Sequence, residues 1–190
     1  MDLIYQLRVP DLSNVLDKDF YHQLFNTNQI LLAGSEGKPG AGYARRHCQE
    51  ILAPDWRNWR NLNWDQCLLF VKAHGWTSNI HRDSILDEER PWSINWIQGG
   101  TGTMDFWNKE QLDSGVKTVD SQGGHNITWY TDQLPYRSYN MKPGCYLINA
   151  SYPHRATGQG VRYAVSIRST DQFYRPWEDI VESFRDLIEI

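Results

Sequence analysis

From about Cys67 to Ser169 the chain is a succession of short segments that fit β-strands, separated by glycine and proline. Each segment is rich in β-branched or aromatic residues and is bounded by turn residues, the pattern that predicts a strand. The predicted strands are 67–74, 77–83, 91–98, 101–108, 116–120, 127–131, 136–141, 145–150 and 161–169. About eight short strands at this spacing predict a β-barrel or a jelly roll.

The segments on either side of these strands predict helices. One helix is expected from Ser13 to Phe25, and short helical pieces are expected between Arg46 and Leu62. At the other end, "RPWEDIVESFRDLIEI" has apolar residues at helical spacing, which predicts a helix packed against the outside of the sheet. The glycine-rich stretch 34–42 predicts an irregular loop. The expected fold class is mainly β, with N-terminal and C-terminal helices outside the sheet.

Size and composition limit the kind of protein this is. A chain of 190 residues with no repeat or linker predicts a single domain over 1–190. A net charge of -4 disfavours nucleic acid as a partner. Cys48, Cys67 and Cys145 lack the spacing of a metal or redox motif and are predicted to be buried, reduced thiols. Because there is no targeting pattern or long apolar run, we expect a soluble, cytoplasmic protein without membrane contact.

A histidine and an aspartate two residues apart lie in the predicted strand 77–83, as His81-Arg82-Asp83. Residues two apart in a strand point to the same side, so the imidazole and the carboxylate would be directed to one place. A third ligand, His154, precedes the last predicted strand. Two histidines and one carboxylate with open positions are typical of non-haem Fe(II) oxygenases. His81, Asp83 and His154 are therefore the predicted metal ligands and catalytic centre.

The last predicted strand carries two arginines on one face. Arg162, Ala164, Ser166 and Arg168 alternate with apolar residues that face the other way. Arginines directed into a barrel need an anion, and a bidentate guanidinium–carboxylate pair is the strong way to provide one. A dicarboxylate co-substrate would supply that anion.

Taken together, His81-x-Asp83, the distant His154 and the strand "GVRYAVSIR" resemble the Fe(II)/2-oxoglutarate-dependent dioxygenases. That family has the double-stranded β-helix fold, also called a jelly roll, and the resemblance covers about 67–169. It implies that His81, Asp83 and His154 bind Fe(II). It also implies that 2-oxoglutarate and O2 are co-substrates, and that succinate and CO2 are released as a substrate is hydroxylated.

The same resemblance assigns the co-substrate residues. Arg162 would pair with the distal carboxylate of 2-oxoglutarate, and its spacing to Arg168 resembles the arginine strand of the alkylation-repair demethylases, where both arginines serve the active site. Ala164 stands where such strands carry asparagine or serine. Asn95, in "PWSINWIQ", is a candidate to hold the C1 carboxylate or the substrate, with a strand-end hydrogen bond as its alternative role.

The family does not fix the substrate, since one fold serves many reactions. A small metabolite, an amino acid or a protein side chain is favoured over a nucleobase because the chain is acidic. Four tryptophans are candidates for an aromatic rim that stacks a base or encloses a small molecule, namely Trp92, Trp96, Trp107 and Trp129. His74 has no carboxylate two residues away and is interpreted as structural.

Two other functions remain open at the level of sequence. One is a cupin-type metal-binding barrel, an isomerase or small-ligand-binding protein, although cupins usually carry a His-x-His pair. The other is a non-catalytic jelly-roll interaction module, which inward arginines disfavour because unpaired buried cations are costly.

Overall fold

The computed structural model describes residues 1–26, 41–72, 74–84, 86–112, 116–119 and 125–189. Over these residues the α-helices are α1 (Leu12–Val15), α2 (Lys18–Asn26), α3 (Cys48–Ile51) and α4 (Trp177–Ser183). The strands are β1 (Ile4–Leu7), β2 (Ala41–His47), β3 (Gln66–Lys72), β4 (Ile80–Arg82), β5 (Trp92–Gln98), β6 (Gly102–Phe106), β7 (Val116–Val119), β8 (His125–Trp129), β9 (Arg137–Met141), β10 (Gly144–Asn149), β11 (His154–Ala156) and β12 (Arg162–Arg168). Short 3-10 turns lie between α3 and β3 and on both sides of α4.

The strands form two antiparallel sheets. The first has the order β1-β10-β5-β12-β3-β2 and the second the order β7-β8-β4-β11-β6-β9. From β3 to β6 and again from β9 to β12, successive strands alternate between the two sheets. This winding is the double-stranded β-helix, so the predicted fold class is confirmed.

The larger hydrophobic core lies outside the barrel, between the first sheet and the helices. In β12, Val165 and Ile167 face this layer, where they join Ile180 and Val181 of α4. The intervening residues of β12 face the interior of the barrel. The expected position of the terminal helices outside the sheet is therefore confirmed.

The expectation of a tryptophan rim is wrong. Trp92, Trp96, Trp107 and Trp129 are all buried, and none is more than 8% exposed. Trp96 Nε1 donates to the Pro10 carbonyl, and Trp107 Nε1 donates to a backbone carbonyl as well. The Nε1 atom of Trp92 is buried without a partner among the described residues. Burial of so large an apolar side chain is strongly favourable, so packing decides the position of these rings.

The N-terminal helix differs from the prediction of one continuous element over 13–25. The backbone is extended at Leu16, which ends α1, and the Asp17 carboxylate accepts hydrogen bonds from the Asp19 and Phe20 N–H groups at the start of α2. Aspartate at this position satisfies N–H groups that have no partner within the helix, so it starts a second helix.

Three strands were not predicted. β1 and β2 add to the edges of the first sheet, and β11 lies in the centre of the second. β2 begins at Ala41, inside the predicted loop 34–42. Residues 34–40 of that loop lie outside the described part of the chain. β11 has only three residues and follows Pro153, so no alternation marks it in the sequence.

The cysteine prediction is confirmed: Cys48, Cys67 and Cys145 are free and buried. Burial raises the pKa of the Cys48 thiol to about 12 and raises that of Cys67 well above its usual value. Among the described residues, no helix has the length and apolar character needed to cross a membrane.

Close contact between β6 and the segment after β11 predicts the effect of Gly102→Ala. An added Cβ would lie 2.1 Å from the Thr157 carbonyl oxygen, a backbone atom that cannot move aside alone. We expect the variant to lose about 2 kcal/mol or more of unfolding free energy. Urea denaturation would measure this loss.

Gly158→Ala is the matched control, because its added Cβ would meet only the Trp76 carbonyl oxygen at 4.0 Å. It should unfold within about 0.5 kcal/mol of the wild type. Equal losses in the two variants would contradict the close approach at Gly102.

Candidate functional site

The two predicted histidine ligands are direct neighbours in the second sheet. His154 of β11 is the Cα partner of His81 of β4 in the antiparallel ladder. Directly opposed residues share a face, and the two ring centroids are 4.5 Å apart. Asp83 follows β4 at once, and one ligand atom from each of the three residues lies within 4.8 Å of the others. The three side chains are therefore close enough together to be candidate ligands of one ion.

Both imidazoles are held in the same way by the backbone. The Nδ1 atom of His81 lies 2.9 Å from the Asn79 carbonyl oxygen, and Nδ1 of His154 lies 2.9 Å from the Tyr152 carbonyl oxygen. Because a carbonyl oxygen only accepts, Nδ1 carries the proton in each neutral ring. The Nε2 atoms therefore keep free lone pairs, and a hydrogen bond at Nδ1 is the usual support for a metal-binding histidine.

The lone pairs of His81 and Asp83 face each other across a gap that a cation could occupy. His81 Nε2 lies 3.5 Å from Asp83 Oδ1. In the tautomer described above, both atoms present lone pairs and neither supplies a proton. Facing lone pairs of this kind are satisfied by a proton or by a metal ion, and imidazole with carboxylate is a donor set that suits iron.

Asp83 is held by an ion pair from the opposite sheet. Arg168 of β12 donates to Asp83 Oδ2 at 2.5 Å, and both side chains are 13% exposed. Burial alone would raise the pKa of Asp83, but the Arg168 guanidinium and the two imidazoles hold it well below its usual value. The carboxyl group is therefore ionised, as a metal ligand must be.

The loop that follows Asp83 is braced by Arg82, a residue the sequence did not single out. Arg82 is buried, and it donates from Nε to the Ser84 carbonyl and from a terminal nitrogen to the Leu86 carbonyl. These bonds fix the chain where it leaves β4. They therefore also fix the position of Asp83.

His154 is the most enclosed of the three side chains. It is 4% exposed, and its ring lies 5.8 Å from that of Phe106. Burial, followed by the neighbouring His81, lowers the pKa of His154 to about 4. At neutral pH the ring is uncharged, which is the form that binds a metal.

All six predicted site residues line one cavity of about 280 Å³. They are His81, Asp83, Asn95, His154, Arg162 and Arg168. Their roles as ligands remain predictions, but the structure brings them together. His74, interpreted as structural, accepts a hydrogen bond from the Gly160 N–H and is not among the residues that line this cavity.

The two arginines of β12 occupy different surroundings. Arg168 is paired with Asp83, whereas Arg162 is 6% exposed and donates to the Thr157 carbonyl oxygen at 3.3 Å. Beside Arg162 lies Lys72, its Cα partner across the β3–β12 ladder and another cavity residue. Sequence reasoning missed Lys72, because nothing local indicates which strand pairs with β12.

Asn95 and Ser166 form a polar part of the cavity wall. They are Cα partners across the β5–β12 ladder. Asn95 Oδ1, Ser166 Oγ and Arg168 Nε are buried and have no hydrogen-bond partner in the described part of the chain. Such atoms are costly unless water or a ligand satisfies them. The strand-end hydrogen bond considered for Asn95 is not formed by its Oδ1 among the described residues.

Comparison with known proteins adds little to this picture. No protein-family model and no curated protein matches the sequence. Similar solved structures include salicylate 1,2-dioxygenase from Pseudaminobacter salicylatoxidans, with 9% identity over 84% of this chain and 35% of that chain and a TM-score of 0.41. The vicilin of Solanum melongena has 11% identity over 76% of this chain and 31% of that chain, with a TM-score of 0.43. For E. coli ycfD the identity is 16% over 70% of this chain and 30% of that chain, with a TM-score of 0.37.

This chain thus spans about a third of the length of each of these three proteins. Similarities at this level carry no argument about function. The fold assignment rests on the strand order, and the site on its own geometry.

The low pKa of His154 predicts a dependence of stability on pH. Between its unfolded pKa of 6.5 and its folded pKa of about 4, the unfolded chain binds more protons at this residue than the folded protein does. The stabilisation by neutral His154 is complete above the pKa of the unfolded chain and is lost as the pH falls to the pKa of the folded protein. The unfolding free energy changes by at most about 1.4 kcal/mol per pH unit in this window. Urea denaturation of metal-free protein across this window should show it.

His154→Gln is the comparison variant, because glutamine is neutral at every pH. Its unfolding free energy should fall less steeply than that of the wild type as the pH is lowered through the window. Parallel curves for the two proteins would mean that His154 does not titrate as described.

Proposed function

We propose that this protein is a non-haem Fe(II) dioxygenase that uses 2-oxoglutarate as co-substrate and hydroxylates a second molecule. The observation that carries the proposal is the meeting of His81, Asp83 and His154, with both Nε2 atoms free and the carboxyl group ionised. This is the donor set typical of the 2-His-1-carboxylate iron sites. Bound iron would supply the activation of dioxygen.

The chain's own residues would orient the co-substrate. The metal-binding triad and the polar wall of Asn95 and Ser166 would receive its 2-oxo acid end. Arg162 would take the distal carboxylate, since a buried guanidinium with one long contact to a carbonyl has donors to spare. Arg168 acts through Asp83, which it keeps ionised and in place.

The reaction balances with the components named. One oxygen atom of O2 enters succinate as 2-oxoglutarate loses CO2, and the other is inserted into a C–H bond of the substrate. The 2-oxo acid and the C–H bond each provide two electrons, so no further reductant is needed.

A small molecule or a protein side chain is the favoured substrate in this proposal. The four tryptophans considered as a base-stacking rim are buried, so that support for a nucleobase is gone. The net charge of -4 disfavours a nucleic acid polymer as well.

A cupin-type metal-binding barrel is the second candidate, because the fold and the metal ligands would serve it equally. Two basic residues of the cavity wall, Lys72 and Arg162, favour the dioxygenase. Arg162 and Lys72 have no carboxylate partner among the described residues, and the oxygenase co-substrate would provide one.

The test begins with metal and co-substrate binding under anaerobic conditions. Fe(II) with 2-oxoglutarate should give a visible charge-transfer band, and admission of air should produce succinate. His81→Ala and Asp83→Ala should each abolish the band and reduce calorimetric Fe(II) affinity by at least about 100-fold. His47→Ala, at an exposed histidine at the end of β2, is the matched control and should bind Fe(II) as the wild type does.

Two outcomes would reject the dioxygenase. Metal binding that depends on the three ligands, without a band or succinate, would leave the cupin-type barrel. Fe(II) affinity unchanged in both ligand variants would show that the triad is not the metal site.

A further inference from the structure

We propose that Lys72 and Arg162 together form a two-cation site for one carboxylate, and that Lys72 makes the cavity select dicarboxylic over monocarboxylic acids. The inference deepens the proposed function and rests on it for the identity of the acid. Lys72 has no role in the motifs that predicted the metal centre.

The first support is the position of the two cations. Lys72 is the last residue of β3 and the direct partner of Arg162 in the antiparallel ladder, and both line the cavity. Directly opposed residues have Cβ atoms about 4.5–5.5 Å apart, and like charges in that position destabilise a sheet. An anion between the two side chains would turn this repulsion into attraction.

The second support is the absence of an internal partner. No ion pair joins Lys72 or Arg162 to a carboxylate among the described residues. Asp83 is the one acidic residue lining the cavity in that part of the chain, and Arg168 already holds it. Lys72 and Arg162 are therefore two basic side chains without a counter-ion among the described residues.

The third support is the way Lys72 is held inside the cavity. Its Nζ lies 3.3 Å from the centroid of the Trp76 ring and 5.2 Å from that of Phe70. A lysine at a strand end can extend its ammonium group into water, and aromatic faces replace that hydration only in part. Burial, followed by the nearby Arg162, also lowers the pKa of Lys72 well below its usual value. The aromatic contacts hold Nζ at the cavity, and a bound anion would offset the cost of burial and favour the charged form of Lys72.

The lining of the cavity offers a separate group of residues to each end of a diacid. The metal ligands and the polar pair Asn95 and Ser166 would receive one acid end, and the Lys72–Arg162 pair would receive the other. A monocarboxylic 2-oxo acid such as pyruvate can reach the metal but has no group for the second site. Lys72 should therefore affect the two kinds of acid differently.

The experiment compares 2-oxoglutarate with pyruvate by calorimetry on anaerobic protein loaded with Mn(II), in the wild type and in Lys72→Met. We expect the 2-oxoglutarate affinity to fall about 10- to 100-fold, the range for loss of one hydrogen bond to a charged group. Pyruvate affinity should change less than about twofold. Lys72→Arg should restore most of the 2-oxoglutarate affinity, and Lys142→Met, at an exposed lysine outside the cavity, should leave both affinities unchanged.

Folding is not expected to confound the result, because Lys72→Met removes a like-charge contact and keeps the apolar part of the side chain. Equal weakening of both acids, or no weakening of 2-oxoglutarate, would overturn the proposal. So would a wild type that binds neither acid.

A metal-free arm separates this inference from the proposed function. Glutarate, which has two carboxylates and no 2-oxo group, should bind the wild type and bind Lys72→Met at least about tenfold more weakly. If that holds while Fe(II) and 2-oxoglutarate give no succinate, the two-cation site stands and the dioxygenase fails. If succinate forms normally and Lys72→Met changes neither glutarate nor 2-oxoglutarate binding, the dioxygenase stands and the two-cation site fails.

Discussion

The ion pair between Asp83 and Arg168 is the interaction on which the candidate site depends. It joins the residue after β4 in the second sheet to β12 in the first, so it links the two sheets at the candidate metal site. A carboxylate this enclosed would be costly to ionise alone, and loss of one member of a buried pair typically costs about 3–5 kcal/mol. With Arg168 in place, Asp83 stays charged.

A polar barrel interior is possible because most of the apolar burial lies elsewhere. The outer face of the first sheet packs against the helices and the large aromatic side chains, including Trp64 and Phe184, both fully buried. Because this layer supplies the apolar burial, the interior of the barrel does not have to be filled with apolar side chains. The inner face can then carry residues that would weaken an ordinary core, such as Arg162, Asn95 and Ser166. Much of the apolar burial thus lies on the outer face of the first sheet, whereas the candidate site lies inside the barrel, between the two sheets.

The interior of the barrel also carries several charged side chains. Three cations and one carboxylate line it among the described residues, and a divalent metal would add further positive charge. In the proposed function, one diacid would connect the candidate metal site with the Lys72–Arg162 pair, although these groups lie on different strands.

Much of this arrangement followed from local patterns in the sequence. The alternation of β12 identified which residues face inward, and the two-residue spacing of His81 and Asp83 placed them on one side of the chain. Turn residues between short strands were enough to predict a jelly roll. These features depend on backbone periodicity, which is a property of the chain over a few residues.

Other features were decided only by tertiary structure, because they depend on which distant segments meet. The sequence could not show that β3 lies beside β12, so it gave no sign that Lys72 opposes Arg162. It could not show that Arg168 would bind Asp83 and so be occupied within the protein. The buried tryptophans make the same point: an amphipathic ring suits both a rim and a core, and only packing against other segments determines which it joins. The sequence by itself determined the fold class and the three candidate metal ligands, whereas strand pairing decided which other charged side chains line the cavity and which partners they have.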